Sequence, residues 1–213
     1  MMKVNEIFYS IQGESSFAGW PCVFIRLTGC NLRCAWCDTQ YAYDEGEEMS
    51  VQFILDRVKA YPCNLVEITG GEPLLQEEIT VLVEALAMQG KTVLVETNGS
   101  QDIRKVNPER CIRILDLKGP SSGHKEDMLW MNLKWVTERD EIKFVIASHM
   151  DFVWAKDVVK KYQLTDRHIV LFSPVSGLCE PKDLAQWILD DGLAVRLQVQ
   201  LHKWIWPNEE RGR

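Results

Sequence analysis

The chain has 213 residues, 46% of them hydrophobic and 26% charged, which suits one large α/β domain with a substantial core better than two small ones. A formal net charge of -7 argues against a nonspecific grip on nucleic acid or anionic membrane and points to a small ligand. Nowhere do eighteen apolar residues run together, so no membrane-spanning helix is expected.

The N-terminal stretch MMKVNEIFYSIQGESS contains one lysine but no continuous apolar segment of the leader-peptide kind, and a cytoplasmic location is expected. Thiols stay reduced there, so seven cysteines, an odd number, are read as metal ligands or core residues before disulfides. Cys22, Cys63, Cys111 and Cys179 stand singly in apolar or turn-like settings and read as small buried hydrophobes.

In chain order, VFIRL (23–27) reads as the first strand, carrying Arg26 and leading through Thr28 into GCNLRCAWCDTQ (29–40). SVQFILDRVKAY is a helix with Ser50 as its N-cap. LVEIT (65–69) is a strand that runs into Thr69, Gly70, Gly71 and Glu72, and QEEITVLVEALAMQG is a helix with acids in its first turn and a stop at Gly90. TVLVET (92–97) brings Glu96, Thr97 and Asn98 to its end, after which 101–110 is irregular. IRILDL (112–117) leads to Asp116, Lys118 and a Gly-Pro-Ser-Ser-Gly loop, and 120–135 reads as loop with short helix. The remainder alternates in the same way. IKFVIAS (142–148) is a strand, 149–163 an amphipathic helix and HIVLFS (168–173) a strand ending at Ser173. EPKDLAQWILDDG is a helix between Pro181 and Gly192, and LAVRLQVQ (193–200) is a last strand with Gln200 and His202 at its end. No repeat, linker or low-complexity stretch interrupts residues 1–213, which are expected to form a single domain.

Strand, helix, strand repeated about six times implies parallel strands joined by right-handed crossovers, hence a barrel of the TIM type. A full eight-unit barrel takes about 250 residues. The expectation here is therefore a partial (β/α)6 barrel, with its chemistry on the loops after the C-terminal strand ends, where the polar groups just named recur.

Cys30, Cys34 and Cys37 then raise a question of stoichiometry. A closed zinc site takes four N or S ligands, and no second Cys or Cys/His pair of knuckle spacing exists in the chain. A 4Fe-4S cluster held by three thiolates keeps one iron without a protein ligand, open to a chelating amino-acid cofactor beside Trp36. This C-x3-C-x2-C spacing with its aromatic resembles the signature of the radical S-adenosylmethionine (SAM) enzymes. TGGEP (69–73) follows the second strand, where that superfamily's Gly-Gly-Glu motif holds the methionine ammonium; the resemblance assigns Gly71 to SAM. It implies one-electron cleavage of SAM to a 5'-deoxyadenosyl radical, which the protein aims at one substrate hydrogen.

EIFYSIQGESS, FIRLTGCNLRCAWCDT, EITGGEPLLQ, VETNG and QVQLHKWIW are together similar to the 7-carboxy-7-deazaguanine synthase family, from residue 5 to the end. The resemblance implies a carbon-nitrogen lyase of queuosine and 7-deazapurine biosynthesis. It would contract 6-carboxy-5,6,7,8-tetrahydropterin to 7-carboxy-7-deazaguanine with loss of ammonia, using a 4Fe-4S cluster, SAM and Mg²⁺. A homodimer served by an electron donor such as flavodoxin is also implied. Carried over by position, Ile11, Gln12, Gly13, Glu14, Arg26, Thr69 and His202 would bind substrate; a guanidinium fork suits the carboxylate, and Gln or Glu suits the pterin edge. For Arg26 a structural salt bridge is the competing reading. Thr39 would bind Mg²⁺, with Asp38 alongside, because magnesium keeps few protein oxygens. Trp36, Asp116, Leu117, Lys118 and Ser173 would join Gly71 at SAM, although Asp116 and Leu117 depart from the family's Ser and Pro. The tail WIWPNEERGR also departs, with Pro207 and a terminal Arg213. Two other readings share the cysteine loop: an activating enzyme for a glycyl-radical protein, and a noncatalytic metal-binding module.

Overall fold

A computed structural model describes residues 1–209, 211 and 212; Arg213 lies outside the described residues. Its strands are β1 (Met2–Ile11), β2 (Pro21–Leu27), β3 (Glu47–Met49), β4 (Leu65–Gly70), β5 (Thr92–Thr97), β6 (Ile112–Leu117), β7 (Glu141–Ile146), β8 (Ile169–Pro174) and β9 (Arg196–Leu197). They form one sheet in the order β3-β1-β2-β4-β5-β6-β7-β8-β9. From β2 onward every pairing is parallel, whereas β1 pairs antiparallel with both β2 and β3. Six parallel strands of six or seven residues, β2 and β4 to β8, make the expected partial barrel of α/β units.

These strands were legible because a parallel strand covered on both faces reads as a nearly continuous apolar run. The outward residues, among them Ile25, Ile68, Val95, Leu115, Phe144 and Phe172, are buried under the helices. The helices are α1 (Val51–Lys59), α2 (Ile79–Met88), α3 (His149–Tyr162) and α4 (Pro181–Asp190). α1 starts where Ser50 accepts a hydrogen bond from the Phe53 amide at 3.2 Å. α2 starts later than its sequence suggested, at Ile79, so Glu77 and Glu78 precede it and its first turn is free of acids. The crossovers from β5 to β6 and from β6 to β7 carry only short 3-10 turns, such as Ile103–Lys105 and Trp130–Lys134.

Three features depart from the sequence reading. β1 is a ten-residue strand in a segment not read as a strand from the sequence; its apolar Met2, Val4 and Ile7 face the core, and a register shift between Val4 and Glu6 disguises the alternation. The last strand is not 193–200 but two residues, because residues 200 and 201 turn away to bond the N-terminal segment. His202 consequently lies in a short helix, α5 (Leu201–Ile205), rather than at a strand end.

Because β1 runs against the parallel strands, its end delivers residues 12–16 to the inside of the barrel. The Gln12 amide group bonds Glu67 on β4, Glu14 bonds Lys143 on β7, and the Ser16 amide bonds Glu141 at the start of β7 at 3.0 Å. This segment spans the barrel from one wall to the other and forms the floor of its cavity.

Candidate functional site

At the C-terminal ends of β2, β4 and β5 the backbone is packed too closely for ordinary side chains. Gly70 has φ +129°, and a Cβ on Gly71 would lie 2.0 Å from the Gly29 carbonyl oxygen. The Gly71 amide donates to the Leu27 carbonyl at 3.0 Å and the Glu72 amide to Gly29 at 2.7 Å, so TGGEP is seated on the root of the cysteine loop. Glu72, wholly buried, then accepts from the Leu74 amide (2.9 Å), the Thr97 hydroxyl (2.8 Å) and the Asn98 amide (2.6 Å). Burial pushes its pKa up to about 7 against these three donors. One carboxylate thus ties the end of β4 to that of β5, and Asn98 in turn donates to the Cys30 sulfur at 3.7 Å.

The cysteine loop is anchored by Leu32, which is buried, and by two bonds from the far wall: the Ala35 amide to the Ser122 carbonyl at 3.1 Å, and the Arg33 amide to His124 Nε2 at 3.0 Å. His124 must accept there, so the network assigns its proton to Nδ1, facing Asp127 at 2.7 Å. His124 thus supports the loop. Cys30, Cys34 and Cys37 are all half-buried and all line one cavity. Burial raises Cys30 and pushes Cys34 up to about 11, so both hold their protons at neutral pH until a metal displaces them.

The residues fit a cluster better than a single ion. Among the described residues no three His, Cys, Asp or Glu side chains gather as ligands of one metal. A cubane asks less, since each thiolate takes its own iron. Two buried polar atoms of the same wall lack protein partners, the donor Trp36 Nε1 and the acceptor Asp116 Oδ1. Lys118 lies 5.0 Å over the Trp36 ring and 2.8 Å from Asp116 Oδ2; burial opposes its charge, but Asp116 and Cys34 together outweigh burial and its pKa is raised. The wall beside the thiols therefore has a donor and an acceptor in reserve for a polar cofactor.

The other half of the cavity is a layer of charge. Gln12 donates to Glu67 through its amide nitrogen and accepts the Glu14 amide at 3.0 Å on its oxygen. Lys143 reaches Glu14 at 2.7 Å, Glu96, and Asp116 at 3.4 Å. Thr69 donates to Glu96 at 3.2 Å. Arg26 faces the cavity and its Nε pairs with Glu6 at 2.8 Å, so the salt bridge weighed from sequence is present. His202 packs on Gly13, where a Cβ would sit 2.1 Å from its Nδ1, and burial lowers its pKa so that the ring is neutral. Thr39 donates to Asp38 at 3.1 Å, whose other oxygen takes Lys203 at 2.6 Å. Arg211 stacks on Tyr41 at 4.2 Å and pairs with Glu45 at 2.8 Å, which draws the tail over the Glu6 side of the mouth.

Of the residues singled out from sequence, Ile11, Gln12, Gly13, Glu14, Arg26, Cys30, Cys34, Trp36, Cys37, Thr39, Thr69, Gly71, Asp116, Lys118, Ser173 and His202 share this one cavity. Leu117 does not. Strand alternation turns its side chain outward into the core, where it is 2% exposed, so only its backbone can serve a cofactor. The reading missed Glu67 and Lys143. Glu67 had a signal, because it lies two residues before Thr69 and thus on the same face; Lys143 had none, with Val145 next on its face. The cavity is open at its mouth and is lined both by the three thiols and by the charged layer.

Comparison with known proteins gives a consistent picture. Residues 24–129 match the model of the radical SAM superfamily. The chain is 46% identical to the 7-carboxy-7-deazaguanine synthase of Chlorobaculum tepidum, over 99% of this chain and 97% of that protein. It is 44% identical to the one from Koribacter versatilis, over 99% and 100%. Among solved structures it is similar in fold to QueE from Escherichia coli (TM-score 0.77, 24% identity, 94% of each chain). A weaker likeness, to SuiB of Streptococcus suis bound to a precursor peptide, has TM-score 0.60 and 16% identity over 80% of this chain and 46% of that one.

Proposed function

The chain belongs to the 7-carboxy-7-deazaguanine synthase family of the radical SAM superfamily, and from that membership we propose how its residues divide the work. The reaction is the ring contraction of 6-carboxy-5,6,7,8-tetrahydropterin to 7-carboxy-7-deazaguanine with loss of ammonia. The cofactors are a 4Fe-4S cluster, SAM and Mg²⁺. When bound, the cluster supplies one electron to SAM, and the resulting 5'-deoxyadenosyl radical takes a hydrogen from the substrate.

Cys30, Cys34 and Cys37 hold the cluster. Trp36, Gly71, Lys118 and Ser173, with the free oxygen of Asp116 and the backbone of Leu117, hold SAM beside it. Arg26 receives the substrate carboxylate, and Thr39, with the aspartate next to it, supplies the oxygen side of the Mg²⁺ site. Gln12, Glu14, Thr69 and neutral His202 read the pterin edge, with Ile11 and Gly13 shaping the floor. The observation that carries this reading is that the three thiols and Arg26, Gln12 and Glu14 stand around a single cavity. The barrel wall and the floor keep water from the radical. Residues 1–213 act as one domain, in the cytoplasm, as a homodimer reduced by an external donor such as flavodoxin. Among the described residues no helix is long and apolar enough to cross a membrane.

The test is direct. Anaerobically reconstituted protein is given reductant, SAM, Mg²⁺ and the carboxypterin, and mass spectrometry follows the deazaguanine acid and 5'-deoxyadenosine. Both are expected. 5'-Deoxyadenosine without the acid would sink the substrate assignment while leaving the radical domain; an intact cluster with neither product would favour a binding module, and a radical on an added polypeptide would favour an activating enzyme.

A further inference from the structure

Resting on that reading, we propose that Lys143 is the positioning residue of the substrate half of the cavity, its ammonium holding Glu14 and Glu96 as two aimed acceptors for the donor edge of the pterin. Lys143 sits in the middle of β7, opposite Asp116 on β6 and Leu171 on β8, with its side chain 5% exposed. An ammonium has three protons, and three carboxylates surround this one: Glu14 from the floor segment, Glu96 from β5 and Asp116 from β6. With two hydrogen bonds donated to Glu14 and Glu96 and an ion pair to Asp116 at 3.4 Å, Lys143 acts on the substrate through its partners.

Those partners are held at both oxygens. Glu14 accepts Lys143 on Oε2 and the Gln200 amide on Oε1 at 2.8 Å; Glu96 accepts Lys143 on Oε1 and Thr69 on Oε2. A carboxylate has about four acceptor directions, so each retains lone pairs for the cavity while its orientation is fixed. Removing the ammonium would set Glu14, Glu96 and Asp116 facing one another beside Glu67, four largely buried carboxyl groups without the cation they share. The SAM half is insulated from this loss because Asp116 keeps Lys118 at 2.8 Å.

The charges bearing on Glu14 come from every wall: Glu67, Glu96, Lys143, Asp116 with its Lys118, and His202 from α5. Arg26 on β2 stands across the cavity, bound to Glu6. Burial raises the pKa of Glu14, and the Lys143 ammonium, with the Gln200 hydrogen bond and His202, more than offsets it, so the net shift is downward. Loss of Lys143 therefore moves ionisation of Glu14 to higher pH and, more consequentially, that of Glu96, whose pKa burial already raises and Lys143 restrains, and with it the acid limb of kcat/KM.

The experiment compares reconstituted holoenzymes carrying Lys143→Met and Lys143→Arg with the parent. For Lys143→Met, KM for the carboxypterin is expected to rise at least about tenfold and the acid limb to move up by about one pH unit. Substrate-free reductive cleavage of SAM should stay within twofold. Lys143→Arg keeps the charge, and so the fold and the acid limb. Its planar fork does not meet three carboxylates from three elements as a point charge does, so its KM should rise roughly fivefold or more. Either folded variant with KM within twofold of the parent, or with SAM cleavage lost in proportion to substrate turnover, overturns the proposal. If Lys143→Met fails to assemble its cluster, Lys143→Arg decides. Failure of the parent itself to make the deazaguanine acid would instead strike the functional reading, so the two failures are distinguishable.

Discussion

β6 carries a buried charge on each of its faces, and the protein treats the two in opposite ways. On the outer face Arg113, 1% exposed, donates to Asp140 through Nε (3.1 Å) and Nη2 (2.5 Å) and to the Ile103 and Trp135 carbonyls. Asp140 also accepts the backbone amides of Arg113 and Thr137. One cation meets one anion, and both oxygens of the anion are engaged. On the inner face Asp116 shares Lys118 and Lys143 with Glu14 and Glu96, Glu67 stands beside them, and Asp116 Oδ1 is buried without a partner. A saturated pair locks the fold; an unsaturated cluster with excess negative charge, next to an open cavity, is a site waiting for ligands.

Breaking the saturated side has the largest expected effect. Arg113→Ala strands Asp140 in the core and should cost about 3–5 kcal/mol of unfolding free energy. This is measured by denaturant titration of the holoenzyme. The surviving folded fraction should bind SAM and pterin with unchanged KM. A loss below about 1 kcal/mol, or a KM effect without unfolding, would dissolve the distinction between the two faces.

Asp116→Asn tests the inner face. The amide keeps one acceptor for Lys118, so the unfolding free energy should change by only about 1 kcal/mol. The charged acceptor proposed for the cofactor is gone, however. At about 1.5–3 kcal/mol for a hydrogen bond to a charged group, KM for SAM should rise roughly ten- to a hundredfold, read from initial rates of reductive cleavage. A variant as destabilised as Arg113→Ala but with normal SAM affinity would reverse the assignment of the faces.

The same comparison explains what was legible in the sequence. The parallel strands announced themselves as apolar runs, and the cysteines as a local spacing, because both signals lie within a few neighbouring residues. Arg113 in IRILDL, Glu67 in LVEIT and Lys143 in IKFVIAS look alike in one dimension: each is a single charge in a β-branched run. What separates them is the face of the sheet. Arg113 shares its parity with Leu115 and Leu117, both turned to the helices, whereas Glu67 shares parity with Thr69 at the cavity. For Lys143 the partners come from Glu14, 129 residues away, and Glu96, 47 away, which no local pattern encodes. β1 and the shortened β9 were obscured for a related reason: a register shift interrupts one, and the other surrenders its end to the floor segment.

The smallest effect sharpens the contrast by moving stability with no charge and no site involved. Ser50 caps α1 with extended backbone (φ -73°, ψ 152°) and its hydroxyl accepts the Phe53 amide. The residue at that third helical position is Phe rather than Glu, so no reciprocal bond completes a capping box and one orphan amide is all the cap satisfies. Ser50→Ala should therefore cost about 1 kcal/mol, and Ser50→Gly only a few tenths, because water reaches the exposed amide more easily past glycine. Both variants should turn over the carboxypterin with parental KM and kcat, since α1 packs on the outer face of the strands and contributes nothing to the cavity lining. If a cap on the helix layer shifted KM, the outer shell and the charged interior would be mechanically coupled, and the inner cluster would owe its geometry to the helices rather than to the floor segment and Lys143.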